Sequence, residues 1–66
     1  MTLRELLEKV SRFQEVFVSY DGSSANGRAG YILDTTQDDW LDSEIIEIQA
    51  SNIDREPTLL VDVKLQ

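Results

Sequence analysis

Apolar residues at the start of the chain recur at helical spacing. Leu3, Leu6, Leu7, Val10 and Phe13 fall on one stripe of a 3.6-residue repeat, which predicts an amphipathic helix over roughly residues 3–13. Thr2 followed by Glu5 reads as a capping box, in which the hydroxyl accepts the Glu5 amide and the carboxylate accepts the Thr2 amide. Glu5 and Lys9 are correctly ordered for an i,i+4 pair. The period then shortens to two. Over residues 15–20, Val16, Val18 and Tyr20 alternate with Phe17 and Ser19, as in a strand with one apolar face.

The stretch Asp21-Gly22-Ser23-Ser24-Ala25-Asn26-Gly27 is rich in turn chemistry, since Asp-Gly and Asn-Gly supply positive φ. Residues 28–33 read as the returning strand, with Ala29, Tyr31 and Leu33 on one face and Gly30 and Ile32 on the other. Thr35 or Thr36 is a candidate cap for a short helical turn over residues 37–41, whose acids Asp38 and Asp39 suit the positive end of a helix. A third strand is expected over 44–50, with Ile46 and Ile48 inward and Ile45, Glu47 and Gln49 outward. A connection over 51–57 leads to a fourth strand over 58–65, with Leu59, Val61, Val63 and Leu65 on one face. The order is helix, hairpin, short helix, hairpin. The expected fold is α+β, one domain over residues 1–66. A four-stranded antiparallel sheet carries the N-terminal helix on one face and a short helical turn between its two hairpins.

Length and composition narrow the chemistry. A chain of 66 residues buries only about 60% of its unfolded surface, so the core is thin. With no cysteine and no histidine, disulfide frameworks and zinc sites of the usual ligand sets drop out. Ser-His-Asp and Cys-His catalysis drop out with them. A serine–lysine dyad is poorly served by Lys9 on a polar helix face and Lys64 on an outward strand face. Gly22 and Gly27 match no phosphate-binding fingerprint. Reading Asp34 as the first position of a calcium loop places Asp38 and Asp42 at liganding positions. It then puts Asp39 where glycine is required and Ile45 where the bidentate glutamate belongs. No metal and no cofactor are expected. A glycosidase-type carboxylate pair is allowed by residue type, but so short a domain offers little cleft. The expectation is a protein that is not an enzyme, with a small hydrolase as the third choice. The longest apolar runs, such as Leu59-Leu60-Val61, are far too short to span a bilayer, and acids interrupt the N-terminal stretch where a signal peptide would be apolar. A cytoplasmic location without membrane contact is expected.

Charge adds the one strong asymmetry. The chain has thirteen acids and six bases, a net charge of −7, which argues against direct nucleic-acid binding. Asp34, Asp38, Asp39, Asp42, Glu44, Glu47 and Asp54 all lie between Arg28 and Arg55 without an intervening base. The other six acids balance all six bases, so the whole net charge resides in that segment. Two readings stand: a solvated face that keeps a small protein soluble, or an electronegative patch that docks on a basic surface, with carboxylates standing in for phosphates. Candidate partner-binding residues are Asp34, Asp38, Asp39, Trp40, Asp42, Glu44 and Glu47. Trp40 is either an exposed anchor in this patch or a plug at the end of the core. Phe17 faces away from Val16 and Val18, and together with Ile32, Ile45 and Leu60 would give a self-association surface if the sheet leaves them uncovered.

The run from Met1 to Val10, with its LxELLEK core, the strand from Glu15 to Tyr20, and Trp40-Leu41-Asp42-Ser43-Glu44-Ile45-Ile46-Glu47-Ile48 before a terminal strand carry a resemblance. The chain resembles short acidic proteins encoded by phages and prophages of Firmicutes, with an LxELLEKI-like helix, a hairpin, an LDREV-like turn and a last hairpin. A looser similarity, in size, charge and element order, is to small phage-encoded anti-CRISPR proteins that occupy nucleic-acid sites. The resemblance implies a non-enzymatic accessory protein that binds a host or phage protein with a basic surface, in the form of a nucleic-acid mimic or nuclease inhibitor. The alternative is a structural or self-associating module using the apolar sheet face.

Overall fold

The computed structural model describes residues 1–20 and 22–64. The expected turn residue Asp21 and the inward Leu65 lie outside the described residues. The elements are α1 (Leu3–Lys9), β1 (Glu15–Tyr20), β2 (Ser23–Arg28), α2 (Ala29–Thr35), α3 (Asp38–Leu41), β3 (Glu44–Ile53) and β4 (Glu56–Lys64).

Helix α1 begins as its sequence dictates. The Glu5 amide donates to Thr2 Oγ1 at 3.2 Å and the Thr2 amide donates to Glu5 Oε1 at 3.0 Å, a complete capping box. The helix is shorter than its apolar stripe suggests. It ends at Lys9 with Val10 as C-cap, and Phe13, the last member of the stripe, is 76% exposed. There the Phe13 ring meets the Arg28 guanidinium at 5.7 Å instead of the core. Leu3, Leu6 and Leu7 are buried, and Val10 packs against them half-buried.

The α+β class holds, with a sheet that is mixed instead of purely antiparallel. Strand order is β2-β1-β4-β3. The β1–β2 and β3–β4 hairpins are antiparallel, and they join through β1 and β4, which run parallel from Glu15↔Thr58 to Ser19↔Asp62. The first hairpin is tighter than its turn-rich sequence suggests. Tyr20 pairs with Ser23, so Ser23 to Gly27 belong to a strand of small and polar residues. The residues expected to return as a strand form α2 instead. Ala29, Ile32, Leu33 and Thr36 repeat at i, i+3, i+4 and i+7, and Ala29 and Ile32 are buried in the core. The β-rich composition of Tyr31-Ile32-Leu33 masked that period.

Neither threonine caps α3. Gln37 is the N-cap without a side-chain bond, and the Thr35 hydroxyl donates to the Tyr31 carbonyl at 2.7 Å. Strand β3 runs to Ile53 and β4 starts at Glu56, so the expected connection shrinks to Asp54 and Arg55. Both have left-handed backbones, at φ 51° and 69°, as the primed hairpin turn requires. A register shift between Ile45 and Glu47 changes which β3 residues face inward. Ile45, expected outward, packs half-buried on the core, while Ile46, expected inward, is 65% exposed. Past the shift Ile48 lies opposite the buried Val61, so it keeps the inward face, although it remains 45% exposed.

All three helices pack on one face of the sheet. Leu3, Leu6 and Leu7 from α1, Ala29 and Ile32 from α2, and Leu41 from α3 meet Val16 and Val18 of β1 and Val61 and Val63 of β4. The N-terminus joins the sheet edge: Thr2 bridges Glu44, the Ile45 amide donates to the Met1 carbonyl at 2.9 Å, and the Leu3 amide donates to the Ser43 carbonyl at 3.0 Å. Buried Ser43 donates its hydroxyl to the Asp39 carbonyl at 2.7 Å, satisfying a carbonyl near the end of α3. Among the described residues no helix is long and apolar enough to cross a membrane.

Candidate functional site

The acidic segment folds into the end of α2, all of α3 and the start of β3. Asp34, Asp38, Asp39, Asp42, Glu44 and Glu47 are all exposed. Four of them meet a cation from the first twelve residues. Arg4, in the first turn of α1, donates through Nη2 to Asp38 Oδ1 at 3.1 Å and through Nε to Asp42 Oδ1 at 3.2 Å. These hydrogen bonds, Asp38 first and Asp42 second, raise the Arg4 pKa above its ordinary value. Arg12 donates to Asp34 Oδ2 at 2.6 Å, crossing Gly30 so closely that a Cβ there would lie 2.9 Å from its guanidinium carbon. The N-terminal ammonium meets Glu44 at 3.4 Å. The segment that carries the net charge in sequence is therefore threaded with cations in space. Nothing in the sequence pattern of α1 marks Arg4 as the partner of residues 34 and 38 positions away.

Trp40 is half-buried. Its ring lies 4.3 Å from that of Tyr20 at a tilt of 39° and packs against the core. It closes the end of the core and turns one edge to a shallow hollow beside Ala25, Thr36 and Gln37. Asp39 projects from the same short helix into solvent.

Among the described residues no helix covers the opposite face of the sheet, and registers define it row by row. Asn26, Phe17, Leu60 and Gln49 lie side by side, and Ser24, Ser19, Asp62 and Glu47 form the next row. Phe17 and Leu60 are half-buried neighbours at the centre of this face. Ile32 and Ile45 do not join them: Ile32 is buried inside α2's contact with the sheet, and Ile45 packs on the helix side. The four-residue apolar surface expected from sequence is thus reduced to two. Toward the hairpin end a hollow is walled by Phe17, Asn26 and Ile53, with Glu15, Asp54 and Glu56 around it. Its one buried polar side chain, Thr58, donates to the Glu56 carbonyl at 3.1 Å.

Chemically these surfaces offer carboxylates, amides and a few apolar side chains. Among the described residues no three carboxylates converge as a metal site. Among the same residues no buried side-chain nitrogen or oxygen lacks a hydrogen bond. Glu5 has its pKa lowered, by the Thr2 amide first and the Thr2 hydroxyl second, and that shift belongs to the helix cap. No family model, no curated protein and no solved structure matches this chain.

Proposed function

We propose that this protein is a non-catalytic binding module that docks on a basic surface of a protein partner through the carboxylates of its acidic segment. The observation that supports this reading is the exposure of Asp34, Asp38, Asp39, Asp42, Glu44 and Glu47, none of which turns into the core. A surface of exposed carboxylates steers toward arginine- and lysine-rich partners and matches guanidinium geometry. Arg4 then acts as an internal counter-charge, holding Asp38 and Asp42 together until a partner's cation competes for them. In its specific form the module occupies a groove built for nucleic acid. Read as a phage accessory protein, it would meet that partner, a host or phage protein, in the host cytoplasm.

Affinity capture from host lysate, with and without nuclease treatment, supplies the partner. The combined change D38N, D39N, D42N and E44Q should then weaken binding while leaving the circular dichroism spectrum intact. Affinity should also fall as salt rises, and nucleic acid should compete. Affinity indifferent to both neutralisation and salt would remove this reading.

A further inference from the structure

The sheet has two edges, and they differ in kind. β2 is six residues of small and polar character ending in Arg28, so it offers an added strand no apolar side chain larger than Ala25. β3 is ten residues long, longer than the typical strand, and among the described residues no strand flanks its outer side. Its start is closed: Thr2 bridges Glu44, and the register shift at Ile45/Glu47 breaks the ladder there. Residues 47–53 beyond it present an open edge of backbone amides and carbonyls.

Over residues 47–50 the side chains along this open edge alternate by chemistry, a pattern that Asn52 and Ile53 do not continue. Ile48 and Ala50 share the helix side, where Ile48 is 45% exposed because the helices pack over β1, β4 and only the first part of β3. Glu47 and Gln49 share the other side. There Glu47 lies directly opposite Asp62, a like-charge cross-strand pair that disfavours the sheet unless a cation neutralises it. Lys64, two residues beyond Asp62 on the same face, lies opposite Glu44. Glu47 therefore borders a site one strand further out, with Asp62 behind it on β4.

We infer that the open edge of β3, residues 47–53, binds an extended segment of a partner protein in which apolar and basic residues alternate. The added strand hydrogen-bonds to the β3 backbone, sets its apolar side chains beside Ile48 and Ala50, and sets lysine or arginine beside Glu47, where the Asp62 carboxylate behind it adds to the negative field. The charge of that pair selects a basic strand over a second copy of this acidic chain. This inference rests on the reading of the protein as a module for basic partners, and it adds a contact at the sheet edge to that of the acidic segment.

The test is a short synthetic peptide of alternating lysine and valine, titrated into the labelled full chain and followed by amide chemical shifts and hydrogen exchange. Amides of residues 47–53 should shift and gain at least tenfold protection, and N-methylation of alternate peptide amides should abolish both effects. E47Q with D62N should weaken binding several-fold. Shifts centred on residues 38–44 would overturn the edge site while leaving the acidic-segment reading standing. Equal binding of the N-methylated peptide would also overturn it, as would concentration-dependent protection of residues 47–53 in the protein alone, which identifies a second copy as the occupant.

Discussion

Thr2 and Glu5 show how much one pair of side chains contributes to a domain this small. Replacing Thr2 with alanine removes the N-cap and should cost about 1 kcal/mol in urea unfolding. That is a sizeable share of the roughly 3–10 kcal/mol expected for a chain of this length. The same pair sets a pH dependence. Because the Thr2 amide lowers the Glu5 pKa in the fold, the Glu5 contribution is present above the ordinary glutamate value and fades as pH falls through the lowered one. Glu5→Gln should therefore flatten the loss of stability as pH falls below the ordinary glutamate value, read from unfolding curves at each pH. In the core, Leu7 is 1% exposed, and Leu7→Ala should cost about 3 kcal/mol, enough to leave a large unfolded fraction detectable by circular dichroism.

The joint between α1 and α3 ties stability to recognition. Arg4 stands between Asp38 and Asp42, while Leu3 of α1 and Leu41 of α3 are buried in the same core. Arg4→Gln frees both carboxylates at the surface and makes the net charge more negative by one. If the acidic segment is the docking surface, that variant should bind a basic partner more tightly at low salt, whereas D38N with D42N should weaken it. Isothermal titration at two salt concentrations separates the cases. The Arg4 ion pairs are solvent-exposed, so their contribution to folding is small and should vanish in high salt.

For the molecule as a whole, the β1–β4 pairing is decisive. It joins residues 15–19 to residues 58–62 and turns two local hairpins into one sheet, so the fold closes only when the ends of the chain meet. Gln14 reinforces this junction by donating to the Pro57 carbonyl at 2.9 Å. A chain ending at Arg55 lacks the central β4 along with Val61 and Val63, and should show neither a dispersed amide spectrum nor a cooperative thermal transition. The long separation also predicts slower folding than a helical bundle of equal length, measurable by stopped flow.

The helix cap, the strands β1 and β4 and the apolar sides of both were legible in the sequence, because each depends on residues within a few positions of one another. Thr2 and Glu5 are three apart, and Val16, Val18, Val61 and Val63 follow a period of two. The α2 segment was misread because its side chains favour strands, and burial of Ala29 and Ile32 overrode that preference. The candidate surface divided in the same way. The sequence by itself determined that seven acids without a base lie between Arg28 and Arg55. Tertiary structure alone decided that Arg4 and Arg12 fold back on three of them, that Ile32 and Ile45 leave Phe17 and Leu60 by themselves, and that Glu47 faces Asp62 at an open edge. The reason is physical: charge and period are properties of the chain, but which charges meet is set by strand pairing and helix packing over long sequence separations.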